Sequence, residues 1–185
     1  GQDDSPTSTD NVFIGYDSGG GTWTTNDSNY NVGIGNYTMD AAMDGALNNT
    51  AVGHNAASAI VNADNGTYIG YQAGLANVSG GSSTIIGYNA GSTATDLDQV
   101  VLVGAGAGQQ ISHATSADGT VALGYNALYA LTSGAGNVAV GYQAGLANVL
   151  GEYNTVVGYE AYVNGAPTDT NGRNTIMGYQ AGKFI

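Results

Sequence analysis

Side chains able to do acid–base, nucleophilic or metal chemistry are scarce in this sequence. Its 185 residues include two His, no Cys, 14 acidic residues and only two basic ones, Arg173 and Lys183. His54 and His113 have no carboxylate or hydroxyl beside them in a catalytic spacing, and the many Ser and Thr residues have no evident base to activate them. Enzymatic activity is not expected. Aspartates gather loosely at Asp3 and Asp4, at Asp40 with Asp44, and at Asp96 with Asp98. Oxygen-rich turns can hold Ca2+, but the spacing matches neither a twelve-residue EF-hand loop nor a glycine–aspartate nonapeptide array, so the case for calcium is weak and turn formation accounts for the acids. No other cofactor is expected.

Two further patterns invite a chemical reading. The run from Val100 to Gly108 opens like the strand and glycine turn of a dinucleotide fold, yet Gln109 stands where the pattern needs a third glycine, and no helix or ribose-binding acid follows. Asn26, Asn36, Asn48, Asn65 and Asn77 each begin an Asn-x-Ser/Thr sequon, which a chain this rich in Asn and Thr also produces by accident. A net charge of −12 excludes nucleic acid and anionic membranes as expected partners. No run of 18 apolar residues is present to span a bilayer.

The elements that would position any site come from a repeat. A short apolar run ends in glycine at Gly15, Gly35, Gly53, Gly70, Gly87, Gly104, Gly124, Gly141, Gly158 and Gly178, in steps of 20, 18, 17, 17, 17, 20, 17, 17 and 20 residues. The segment Gly-Tyr-Gln-Ala-Gly-Leu-Ala-Asn-Val occurs word for word at 70–78 and at 141–149. A fixed period of this size means stacked units rather than one globular core. Each run is four residues long, rich in Val, Ile and Thr, and too short for a helix; the rest of each unit is Gly, Asn, Ser, Asp and Ala, which make turns. The expected fold is all-β: a parallel β-solenoid, or β-roll, of about ten coils of 17–20 residues, roughly 48 Å long at about 4.8 Å per coil. The three extra residues of the longer steps are expected to bulge as loops.

Alternation along a strand puts the residues three and one before the glycine on a common face. The first is always Val or Thr and the second always Ile, Val, Leu or Met, so these two rows are expected to fill the coil. The position between them is then expected to point outward. It is almost wholly apolar, and its larger members, Phe13, Tyr68, Ile85, Leu102, Val156 and Ile176, form the expected interface with another chain, because strands read as continuous apolar runs when both faces are covered. Tyrosine follows the glycine in seven of the ten units, at Tyr16, Tyr71, Tyr88, Tyr125, Tyr142, Tyr159 and Tyr179, which predicts a stacked aromatic ladder with a mainly structural role; a glycan-binding strip is the alternative. His54 takes the ladder position in its unit.

The frame Asn-Thr/Val-x-Ile/Val-Gly-Tyr-x-Ala-Gly resembles the head repeats of trimeric autotransporter adhesins. It is also similar to repeats of phage tail fibres and of proteins carrying endosialidase-type chaperones. The resemblance covers Asn11 to Gly182 and implies a left-handed parallel β-roll with three chains around an axis. Residues 1–10 read as a polar leader ahead of a single repeat domain at 11–185, and the last unit stops seven residues past Gly178. The leader of one subunit is therefore expected to complete the final coil of the next. The functional expectation is a non-enzymatic subunit of an extracellular fibre that associates with itself, as a homo-oligomer or head-to-tail polymer. The alternative is a receptor- or glycan-binding module on a cell or virion surface.

Overall fold

A computed structural model of the chain describes residues 7–23, 25–112, 117–164 and 172–183. Each repeat contributes one three-residue strand: β1 (Val12–Ile14), β2 (Val32–Ile34), β3 (Thr50–Val52), β4 (Thr67–Ile69), β5 (Thr84–Ile86), β6 (Val101–Val103), β7 (Val121–Leu123), β8 (Val138–Val140), β9 (Thr155–Val157) and β10 (Thr175–Met177). They form one parallel ten-stranded sheet in sequence order. The result is an all-β parallel solenoid of about nine turns, with no helix among the described residues. Register is strict, so residues at the same repeat position stack on one another, as in Thr67↔Thr84 and Ile69↔Ile86.

Glycine closes every strand for a steric reason. The signature glycines have φ between 126 and 140°, and a Cβ on Gly15, Gly35, Gly53, Gly70, Gly87, Gly104, Gly124, Gly141 or Gly158 would lie 2.2–2.5 Å from the carbonyl oxygen of the next glycine in the column. No L side chain fits there. A second column, four residues before the glycine, is asparagine in six of the ten units. Asn49 shows its use: its Nδ2 donates to Asn31 Oδ1 at 3.1 Å and to the Ala63 carbonyl at 2.6 Å, and its Oδ1 accepts from Gly66 N at 2.9 Å. The buried amide thus ties neighbouring coils together where the backbone alone leaves polar groups unmet.

The strand faces are the reverse of the sequence expectation. Phe13 is half-buried, while Tyr68, Ile85, Leu102, Val156 and Ile176 lie in the core with Ala51, Ala122 and Ala139. The residues flanking them, three and one before the glycine, point outward. Ile85 and Leu102 are therefore not a surface for another chain; they are 0 % exposed in the chain's own interior. With three residues per strand and apolar residues at all three positions, alternation alone fixes no sign. The sign is set by what fills the coil opposite the middle residue.

That opposite wall begins three residues after the glycine, where Ala56, Ala73, Ala90, Ala107, Ala127, Ala144 and Ala161 are buried. The next position varies in size against the middle of the strand. Phe13 faces Gly19, Tyr68 faces Gly74 and Leu102 faces Gly108, and a Cβ on these glycines would come within 2.7, 2.4 and 2.9 Å of the respective side chains. Conversely, Gly33 shares its coil with Met39, and Ala122 with Leu128, both fully buried. In these coils large and small exchange places across the interior, as close packing favours, whereas Ala51 with Ala57 and Ala139 with Gly145 pair two small residues and Val156 with Tyr162 two larger ones.

Tyr30 N donates to the Thr9 carbonyl at 3.3 Å, Thr9 N to Asn29 Oδ1 at 2.6 Å and Ser28 N to Ser8 Oγ at 3.0 Å, so residues 7–10 lie against the second coil. Residues 1–6 lie outside the described residues. So do residues 24, 113–116 and 165–171, which fall in the three 20-residue steps where bulging loops are expected.

Candidate functional site

With the strand middles buried, two features remain on the outside. The first is the outer face of the sheet. It carries Val or Thr in one row and Ile, Val, Leu or Met in the other, ten deep, without a single charged side chain. Val12, Ile14, Ile34, Ile69, Thr175 and Met177 are exposed, and the others on this face are half-buried. Rows of β-branched residues suit a pleated surface, and the strict register makes this face regular. It spans nine rises of about 4.8 Å, roughly 43 Å. Contiguous apolar surface of that length on a monomer marks an interaction site.

The second is the tyrosine column. Tyr71 stacks on Tyr88 at 5.3 Å between ring centroids, Tyr125 on Tyr142 at 5.3 Å, Tyr142 on Tyr159 at 5.0 Å and Tyr159 on Tyr179 at 5.5 Å, with ring planes within 14° of parallel. His54 takes a rung, stacked on Tyr71 at 5.6 Å. In the second unit Asn36 follows the glycine, and Tyr37, one residue later, supplies the ring: it meets Tyr16 at 5.4 Å and His54 at 5.7 Å edge-on. The seven tyrosines are 40–73 % exposed, so the column is both a stiffening stack and an open aromatic surface. It is broken once, between Tyr88 and Tyr125, where the sixth unit has Ala105. There the surface opens into a cleft of about 330 Å³ lined by Tyr88, Ala105, Gly106, Gln109, Tyr125, Asn126 and Tyr129.

The other sequence candidates fall into structural roles. The glycines after Val100 belong to β6 and its turn, where Gly106 N donates to the Tyr88 carbonyl at 2.9 Å. Asp44, Asp64 and Asp98 accept from the backbone amides of Asn26, Leu47 and Gly81 at 2.7–2.8 Å, tying turns of adjacent coils. Among the described residues no group of three or more His, Asp or Glu side chains could hold a metal ion. Asp3, Asp4 and His113 lie outside the described residues. Of the sequons, Asn77 is buried, donating to Tyr68 Oη and to the Gly80 carbonyl, each at 2.7 Å, so a glycan there would require the coil to open. Burial of Tyr68 in the core pushes its phenol pKa up.

Electrostatics are dominated by the acids. Near the other end of the rod, Glu160 accepts from Lys183 Nζ and Gln180 Nε2, both at 2.8 Å, and these bonds hold its pKa below the usual value. Asp118 is the opposite case. One of its oxygens is shielded with no hydrogen-bond partner among the described residues, and desolvation, then the charges of Asp98 and Asp96, raise its pKa. A folded-state pKa above the unfolded value of 3.8 means that Asp118 adds stability below pH 3.8 and loses it as pH rises through the folded value. Asp118→Asn should therefore raise the melting temperature at pH 7, by no more than about 2 °C for a partly hydrated carboxyl. The difference should vanish at about pH 3, as thermal circular dichroism at the two pH values would read.

No family model, no curated protein and no solved structure matches this chain. Its class is accordingly that of a parallel β-solenoid repeat protein, defined by its own geometry.

Proposed function

We propose that this chain is a non-enzymatic structural subunit of an extracellular, self-assembling fibre, and that copies associate through the outer apolar face of the sheet. The observation that carries this reading is the pair of uncharged rows, with Thr67, Thr84 and Val101 in one and Ile69, Ile86 and Val103 in the other, in strict register and exposed or half-buried along the sheet. Burying such rows between two copies removes apolar surface from water without breaking a hydrogen bond. With a net charge of −12, copies repel one another, so association tightens with added salt and with falling pH. A cell or virion surface is the setting proposed for such a fibre, and neither nucleic acid nor membrane insertion belongs to it; no helix among the described residues is long and apolar enough to cross a membrane.

The test is sedimentation and electron microscopy of the full chain beside an Ile69→Lys, Ile86→Lys, Val103→Lys variant. The parent is expected to form concentration-dependent rods, and the variant to stay monomeric with an unchanged circular dichroism spectrum. A parent that stays monomeric, or a variant that assembles as the parent does, overturns the reading. A second reading, a surface-binding module akin to an adhesin head or tail fibre, is favoured by the exposed tyrosine column, a surface suited to a glycan or a receptor.

A further inference from the structure

The break in the tyrosine column is a coordinated change. In the sixth unit two adjacent positions are cut back together: Ala105 stands where seven units have Tyr, and Gly106 stands where the other units have Asp, Tyr, Asn, Gln or Glu. Either alone would leave the column partly filled. Together they remove one aromatic rung and the polar side chain next to it, leaving the faces of Tyr88 and Tyr125 two coil rises apart, about 9.6 Å along the rod. Intact rungs on either side repeat at 5.3 Å, so the space between the two walls is that of one missing ring.

The rim of this slot is polar and uncharged. The amides of Gln109 and Asn126 and the phenol of Tyr129 line it beside the two tyrosine walls. Beside Gly106 the amide of Asn126 fills the space a side chain would take, a Cβ on that glycine lying 2.1 Å from Asn126 Oδ1, and in the preceding coil Asn89, the counterpart of Gly106, has a shielded amide oxygen without a hydrogen-bond partner among the described residues. A gap flanked by two tyrosines and bordered by amide side chains fits a ring with C–H groups on its faces and several hydroxyls around its edge. A plain aromatic ring would fill the gap and leave the amides desolvated and unpaired, at a cost. A charged ring finds no counter-charge in the lining. The volume, 330 Å³, is at the small end of ligand sites and suits one sugar unit.

We infer that the gap between Tyr88 and Tyr125 is a binding site for one neutral pyranose ring, sandwiched between the two phenols and held at its edge by Gln109, Asn126 and Tyr129. The site deepens the surface-binding reading and is independent of self-association through the opposite chemistry of the sheet face. A ligand of this size binds with a Kd of about 1–10 mM, and repetition along a fibre raises the avidity for a polysaccharide.

The test uses the full chain labelled with 13C-methyl alanine and 15N, titrated with methyl β-glucopyranoside, methyl β-galactopyranoside, methyl α-mannopyranoside and N-acetylglucosamine. Saturable shifts confined to Ala105, Gly106 and Gln109 are expected with at least one of them. Ala105→Tyr, which restores the side chain seven other units already accommodate, should abolish them, and Tyr125→Ala, which removes a wall, should weaken binding about tenfold. Gln109→Ala, at the rim and away from the stack, gives a second route to loss if Ala105→Tyr folds poorly. No saturation with any of the four, or shifts that survive Ala105→Tyr in a folded protein, overturns the site. So does saturable binding of N-acetyltyrosinamide with the sugars silent, which would assign the slot to an aromatic side chain of another molecule. Sedimentation of the same samples separates this outcome from any change in assembly.

Discussion

Leu102→Asp unfolds the middle of the rod, whereas Val103→Asp, one residue along the same strand, leaves it standing. Leu102 is fully buried among Ile85, Leu97 and Ile111 in the core, and a carboxylate in its place would be taken out of water with no partner. Removing the side chain alone, as in Leu102→Ala, costs about 3–5 kcal/mol, and the charge adds enough to exceed about 5 kcal/mol. Val103 faces outward, so a carboxylate there stays hydrated and costs within about 1 kcal/mol. Because each coil is held only by its neighbours, a collapsed sixth coil should release the coils on either side, and the melting curve of the full chain should lose its single cooperative step. Urea unfolding followed by circular dichroism reads both variants. Equal destabilisation of the two, or a larger loss at Val103, would mean that the strand faces are assigned the wrong way round.

That contrast also marks where the sequence stopped being legible. The solenoid could be read from the residues because period and closing glycine both have a single physical cause: a coil must return to the same place, and only glycine passes the next backbone where a Cβ would lie 2.2–2.5 Å from its carbonyl oxygen. The inside of the coil was harder. The rows at three and one before the glycine look like a core because they are uniform, Val or Thr and then Ile, Val, Leu or Met, but their uniformity belongs to an outer surface on which like residues stack in register. The true core position looks irregular, with Phe13, Gly33, Tyr68 and Ala122, because in these coils it is balanced against another residue six further on. The pairs Phe13 with Gly19, Gly33 with Met39, Tyr68 with Gly74 and Ala122 with Leu128 are all visible in the sequence, and a search for anticorrelated size at fixed spacing would have found them. The asparagine column was equally visible and its meaning was not, since a buried amide ladder and a turn asparagine are spelled alike until Asn49 is seen donating to Asn31.

The surface site has a similar history. The tyrosine ladder follows from register alone, and its stacking distances are those the coil rise imposes. The departure at Ala105 and Gly106 is masked in the sequence by the glycines around it, which are spelled like a dinucleotide turn. It becomes a slot only when the rungs above and below are in place, because a missing ring in a column is defined by its neighbours.

Gly87→Ala should be nearly as damaging as a charge in the core, although it adds one methyl group. The added Cβ would sit 2.4 Å from the Gly104 carbonyl oxygen, at a φ of +140° that side chains rarely adopt. Neither coil can yield, because Gly87 N donates to the Ile69 carbonyl and Gly104 N to the Ile86 carbonyl, both at 2.8 Å, on the very strands that would have to separate. Backbone strain accounts for about 1–3 kcal/mol and the clash for at least as much again, a total of about 3–5 kcal/mol. Gly178→Ala separates the two contributions. Its φ is +126°, but its nearest neighbour is the Ala181 Cβ at 3.8 Å, since no further glycine stacks on it among the described residues. It should therefore cost only the strain, about 1–3 kcal/mol. If chemical unfolding gives both variants the same loss, the glycine column is maintained by backbone conformation alone and close approach of the coils plays no part. If Gly87→Ala costs the more, the column is the steric lock that sets the rise of the rod, and with it the spacing at which the outer rows and the tyrosines are presented.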